Sequence, residues 1–236
     1  MTTANALPIH YAELESIYHR TLARGTRALA LTCAAGGEGV TTLARALAER
    51  AAAGGRRTLL VDTNLAHPAL HGHYGSPREA WSPADYADAL HLADVPGLTL
   101  LTAPLDGGEF GFRDPGALQA ALHDWLQSFD VVIADTSPVN RRNRRNIPAE
   151  AVCGAFPATL MVVLAAATPE SALVEAHQRL AAAGATLAGA VLNDRHLPGL
   201  ASELCRETRR LDRLLPRTMA WARAAIGRSA LLNQPI

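Results

Sequence analysis

One segment limits what this chain can become: the apolar run Ala28 to Cys33 feeds directly into Ala34-Ala35-Gly36-Gly37-Glu38-Gly39-Val40-Thr41-Thr42, and an alanine-rich stretch follows to Ala53. A strand, a glycine turn and a helix in immediate succession match the phosphate-loop pattern G-x-x-x-x-G-K-[ST]. That pattern works because glycines let backbone N–H groups wrap phosphates, lysine reaches the outer phosphate oxygens, and the hydroxyl holds magnesium. The wrapping residues Gly36, Gly37 and Gly39 and the hydroxyls of Thr41 and Thr42 are present. Val40 stands where the lysine belongs, and the whole chain contains no lysine that could replace it.

The glycine segment is the first of a series of alternating units. Thr58 to Val61 reads as a strand ending at Asp62, and further strands are expected at about Leu98–Thr102, Val131–Ala134, Thr159–Ala165 and Thr186–Leu192. Helices are expected at Val40–Ala53, Pro115–Gln127 and Pro169–Ala183. Strands separated by helices predict a mainly parallel sheet covered on both faces, with ligands outside the carboxyl ends of the strands. Gly39, Asp62, Asp135 and Asn193 would gather there. Residues 1–25 read as a helical extension packed on a body formed by residues 26–236.

Composition excludes several alternatives. With 49% apolar residues the chain supports a large core, and 22 basic against 22 acidic residues make no electrostatic case for nucleic acid. Three widely spaced cysteines, Cys33, Cys153 and Cys205, suit neither a disulfide framework nor a zinc site, so a reducing cytoplasm is expected. The uncharged stretch Ala151 to Pro169 approaches the length of a membrane span, but Gly154 and Pro157 interrupt it and its second half reads as a buried strand. His67, His71 and His73 read as surface histidines. The arginine-rich segment Arg206 to Arg228 reads as a helix with its arginines facing water, or as one that lies on an anionic surface.

Four pieces, in order, carry a family resemblance. Leu59-Leu60-Val61-Asp62-Thr63-Asn64, Pro96-Gly97-Leu98-Thr99-Leu100-Leu101-Thr102-Ala103, Phe129-Asp130-Val131-Val132-Ile133-Ala134-Asp135-Thr136-Ser137-Pro138 and Gly189-Ala190-Val191-Leu192-Asn193 resemble segments of the bacterial tyrosine kinases (BY-kinases) of capsule and exopolysaccharide synthesis, a branch of the MinD/ParA-type P-loop proteins. The resemblance implies a three-layer α/β, P-loop NTPase-like fold. It implies ATP or ADP at Gly36, Gly37, Gly39, Thr41, Thr42, Asp62, Asp135 and Asn193, with Asn193 reading the adenine, and Mg2+ at Thr41, Asp62 and Asp135. It also implies a cytoplasmic domain that meets a membrane polysaccharide co-polymerase.

The departures from the family pattern set the functional expectation. Valine replaces lysine, and Asn64 replaces the second carboxylate of the family's D-x-D. No tyrosine lies in the tail, since Tyr11, Tyr18, Tyr74 and Tyr86 are all there are. Glu15, Arg20 and Arg24 match the family's oligomer motif only with altered spacing. A charge-assisted hydrogen bond is worth roughly 1.5–3 kcal/mol, so loss of the lysine weakens nucleotide binding by about one to two orders of magnitude. Phosphoryl transfer depends on neutralising developing charge and suffers more. The expected protein is a degenerate, kinase-inactive regulatory component with weakened or absent nucleotide binding. The alternatives are an active ATPase or tyrosine kinase with a non-standard loop, and a MinD/ParA-type positioning ATPase. Arg141, Arg142, Arg144 and Arg145, just after the Asp135 strand, read as a solvated loop, as a patch that docks an acidic partner segment, or as the source of an arginine that takes the lysine's place.

Overall fold

The structure, a computed structural model, describes residues 11–105, 111–141 and 146–195, the helix at 216–228, and residues 204 and 208. The chain divides into two compact units, Met1–Asn193 and Asp194–Ile236.

In the first unit, the apolar runs expected as buried strands form β1 (Ala28–Cys33), β2 (Thr58–Asp62), β4 (Leu98–Leu101), β5 (Val131–Asp135) and β6 (Thr159–Leu164). Every residue of β1, β2 and β5 is buried, as in strands covered on both faces. With β3 (Leu90–Leu92) and β7 (Leu187–Asn193) they make one seven-stranded sheet in the order β3-β4-β2-β5-β1-β6-β7. All neighbours are parallel except β3, which pairs antiparallel with β4. β1 connects outward to β2 on one side, and β5 connects to β6 on the other. The crevice between adjacent β1 and β5 is therefore the topological switch point where ligands sit in such sheets.

Two cores lie on opposite faces of the sheet. On one face, α1 (Ala12–Arg20) contributes Leu14 and Tyr18, and α2 (Val40–Ala53) contributes Leu43, Ala44 and Leu47. They pack on Leu29, Leu31, Leu60 and Ile133. On the other face, α4 (Pro115–Ser128), α5 (Ala149–Ala155) and α6 (Glu170–Ala182) cover Ala28, Ala30, Val61, Val132 and Ala134. The result is the expected three-layer α/β architecture. Cover thins at the margin: β7 exposes most of its side chains, Leu192 among them.

Some elements differ from the sequence expectation. A short helix α3 (Leu70–Tyr74) follows β2, so His67 precedes it and does not share a helix with His71. The uncharged stretch contains α5 and then β6. Gly154 fits where it does because a Cβ there would lie 2.5 Å from the carbonyl oxygen of Ala183. Among the described residues no helix is long and apolar enough to cross a membrane. In the second unit, the described residues include α7 (Pro216–Arg228), on which Trp221 is exposed; the rest of the arginine-rich segment lies largely outside the described residues.

Candidate functional site at the glycine loop

The loop from Ala34 to Gly39 joins the end of β1 to the start of α2. Gly36, Gly37 and Gly39 have φ of 108°, 84° and 99°, in the left-handed region where side chains are strained. This curvature is fixed from within. The Glu38 side chain is buried, and its carboxylate accepts the N–H groups of Ala35 (3.0 Å) and Gly36 (2.5 Å), with the Thr168 hydroxyl at 3.4 Å. Gly39 caps α2 without a side-chain acceptor. Among the described residues, no protein acceptor meets the N–H groups of Gly37, Gly39, Val40 or Thr41. A helix start with free N–H groups at the mouth of a crevice suits an anion.

Register places Asp62 opposite Asp135 at the carboxyl ends of β2 and β5. The two carboxylates have different surroundings. Asp62 accepts from the backbone N–H of Asn64 (2.9 Å), Ala69 (3.1 Å) and Leu70 (3.3 Å), tying down the turn into α3. Burial pushes its pKa up to about 6, and these three bonds oppose the rise. Asp135 is equally buried, yet among the described residues neither oxygen has a hydrogen-bond partner. Burial first, and then the charge of Asp62, push Asp135 well above the ordinary carboxylate value; the nearby Thr41 side chain offsets part of this, without a hydrogen bond of ordinary geometry.

An orphaned buried carboxylate beside a threonine hydroxyl and a free helix start fits Mg2+, which takes one or two protein oxygens and shares the rest with water and phosphate. Of the residues implied for the metal, Thr41 and Asp135 are available to it, while Asp62 already carries three backbone bonds. Among the described residues no cluster of three His, Cys, Asp or Glu side chains could hold a metal by itself.

Asn193, at the end of β7, donates its amide to the Glu38 carbonyl at 2.8 Å and passes so close to Gly39 that a Cβ there would meet it at 2.8 Å. The segment after β5 lies along the loop. Val139 N–H bonds Cys33 O (2.8 Å) and Asn140 N–H bonds Ala34 O (3.1 Å), which places Arg141 across Gly36. A Cβ on Gly36 would stand 3.4 Å from Arg141 Cζ. Arg141 Nη1 donates to His67 Nε2 at 2.9 Å. Arg142, Arg144 and Arg145 lie outside the described residues. Thr42, on the first turn of α2, is half-buried.

The residues at three departures from the family pattern have definite places in the structure. Val40 is 6% exposed and belongs to the core around α2. Tyr18 is buried, Tyr74 donates to Glu49 at 2.7 Å, and Tyr86 bonds Asp124. Glu15 pairs with Arg50 of the same chain. The residues that sequence reasoning passed over are Glu38 and Thr168, which brace the loop, and the contact between His67 and Arg141. Glu38 had one visible signal, a carboxylate inside a loop otherwise made of small residues.

This arrangement is the fold of P-loop NTPases of the bacterial tyrosine kinase and MinD type. The kinase domain of the Escherichia coli tyrosine kinase ETK is similar with a TM-score of 0.65 at 19% identity, over 82% of each chain. The kinase domain of VpsO is similar with a TM-score of 0.64 at 21% identity, over 76% of this chain and 90% of that one. The cell division ATPase MinD of Pyrococcus furiosus is similar with a TM-score of 0.58 at 21% identity, over 77% and 80%. No protein-family model and no curated protein matches the chain.

Proposed function

We propose that this chain is a kinase-inactive regulatory component of an exopolysaccharide or capsule synthesis and export system, which binds a membrane polysaccharide co-polymerase on its cytoplasmic side. The observation that carries the proposal is Val40: the position from which a cation would reach the phosphates is a buried apolar contact, in a chain without lysine. The engagement of three of its four tyrosines with other groups, or with the core, adds support against an autokinase. Thr41 and Asp135 would hold Mg2+ and the loop N–H groups would hold the phosphates of ATP or ADP. The metal would supply charge neutralisation there, while the loop's own cation, which position 40 would carry along with the transferred phosphoryl group, is lost.

The test combines two measurements on the purified chain. Incubation with γ-labelled ATP and magnesium is expected to give neither labelled protein nor phosphate release above the buffer rate. Binding to an immobilised cytoplasmic segment of a membrane co-polymerase is expected to be equal with and without ATP. Robust nucleotide turnover would overturn the reading.

A further inference from the structure

Arg141 is an exposed cation fixed beside a glycine loop that lacks one. Its place is set by the backbone: Asn140 and Val139 bond the carbonyls of Ala34 and Cys33, and Arg141 N–H closes a turn on Pro138 O at 3.2 Å. Its side chain lies over Gly36, where a Cβ would stand 3.4 Å from Arg141 Cζ and 3.1 Å from Pro138 Cγ. Among the described residues it has no carboxylate partner, and its one side-chain bond goes to the His67 ring. A guanidinium carries five N–H donors in a planar fork, so a single bond to His67 leaves Nε and Nη2 for another acceptor. The Nε2 atom that accepts from Arg141 belongs to a neutral imidazole, which orients the guanidinium without neutralising it.

Beside it lie two independent signs of a ligand: among the described residues, the N–H groups of Gly37, Gly39, Val40 and Thr41 meet no protein acceptor, and Asp135 is buried with both oxygens unpartnered. The first calls for an anion and the second for a cation, which together describe a diphosphate group accompanied by a divalent metal.

We propose that Arg141, positioned by His67, replaces the missing lysine and grips the diphosphate group of a magnesium-bound nucleotide on the glycine loop. Arginine matches phosphate oxygens with two parallel bonds, so the exchange alters the direction of approach while keeping the charge. The inference rests on the reading above only in that the loop still receives phosphate, and it names the residue that would let a regulatory protein sense nucleotide without turning it over.

The experiment is calorimetric titration of the full chain with magnesium ADP and, in a parallel arm, magnesium pyrophosphate, with melting curves to confirm folding. Arg141→Ala is expected to weaken both ligands by about 10- to 100-fold, the loss of one charge-assisted contact, and Arg141→Lys to retain part of the affinity. His67→Ala is expected to weaken binding less, and His67→Gln, which keeps an acceptor, to restore it. Tight ADP with absent pyrophosphate binding would assign recognition to the nucleoside and overturn the proposal. Unchanged affinity in Arg141→Ala would overturn it, and so would absence of wild-type binding at millimolar ligand. Either result leaves the regulatory reading intact, whereas wild-type turnover would strike that reading and leave Arg141 in place.

Discussion

Replacing Asp135 by asparagine separates a site kept for a cation from a site kept for the fold. In the wild type a carboxylate with neither oxygen bonded sits beside Asp62 in a closed environment. Leaving a buried polar group unsatisfied costs about 1–3 kcal/mol, and more when it is charged. Asparagine keeps polar atoms at that place but removes the charge, so Asp135→Asn is expected to raise stability at pH 8 in EDTA by about 1–3 kcal/mol, and for a chain of this size each kcal/mol moves Tm by roughly 2–4 °C. The pH dependence has a definite sign. A carboxyl whose folded pKa lies above its unfolded value contributes stability that is fully present below the unfolded value and is lost as pH rises through the folded one. The advantage of the asparagine variant consequently grows from pH 5 to pH 8. Urea denaturation across that range measures it. With magnesium and ADP the order reverses, because only the wild type gains from the ligand. A variant less stable than wild type at every pH, with or without EDTA, would refute the view that Asp135 lacks a protein partner.

Other substitutions discriminate among the same groups. Asp62→Ala removes the acceptor of three backbone N–H groups and is expected to destabilise by at least about 3 kcal/mol in urea unfolding, opposite in sign to Asp135→Asn. Because burial raises Asp62 to about 6, its contribution to stability is full below 3.8 and declines as pH rises through 6, a slope that denaturation between pH 4 and 7 should show reduced in Asp62→Asn. Gly39→Ala, at φ 99° and with Asn193 Nδ2 in the way, is expected to cost about 1–3 kcal/mol by thermal melting. Val40→Lys is expected to raise nucleotide affinity by about 10- to 100-fold by calorimetry; unchanged affinity would show that a cation at position 40 does not set it.

The parts of this fold that were legible in the sequence are those set by local chemistry. β1, β2 and β5 announced themselves as apolar runs buried on both faces, and the predicted limits of β1 and α2 coincide with those observed. β3 was not visible, because three residues at an antiparallel edge carry too little pattern to stand out. α5 was hidden inside an uncharged stretch in which helix and strand share one composition. At the site, residue types were readable and their partners were not. Asp62 and Asp135 look alike in sequence, and only the turn into α3 gives the first its three donors. The meeting of His67 with Arg141 spans 74 positions, and it depends on the segment after β5 bonding to the loop after β1.

Because Glu38 braces the glycine turn from beneath, the turn owes its shape to its own carboxylate and to no visitor. The bracing bonds do not involve position 40, so an apolar residue there leaves the bend of the turn intact. The shape of the platform and the charge placed on it are thereby set by different residues, so either can be changed by substitution without the other.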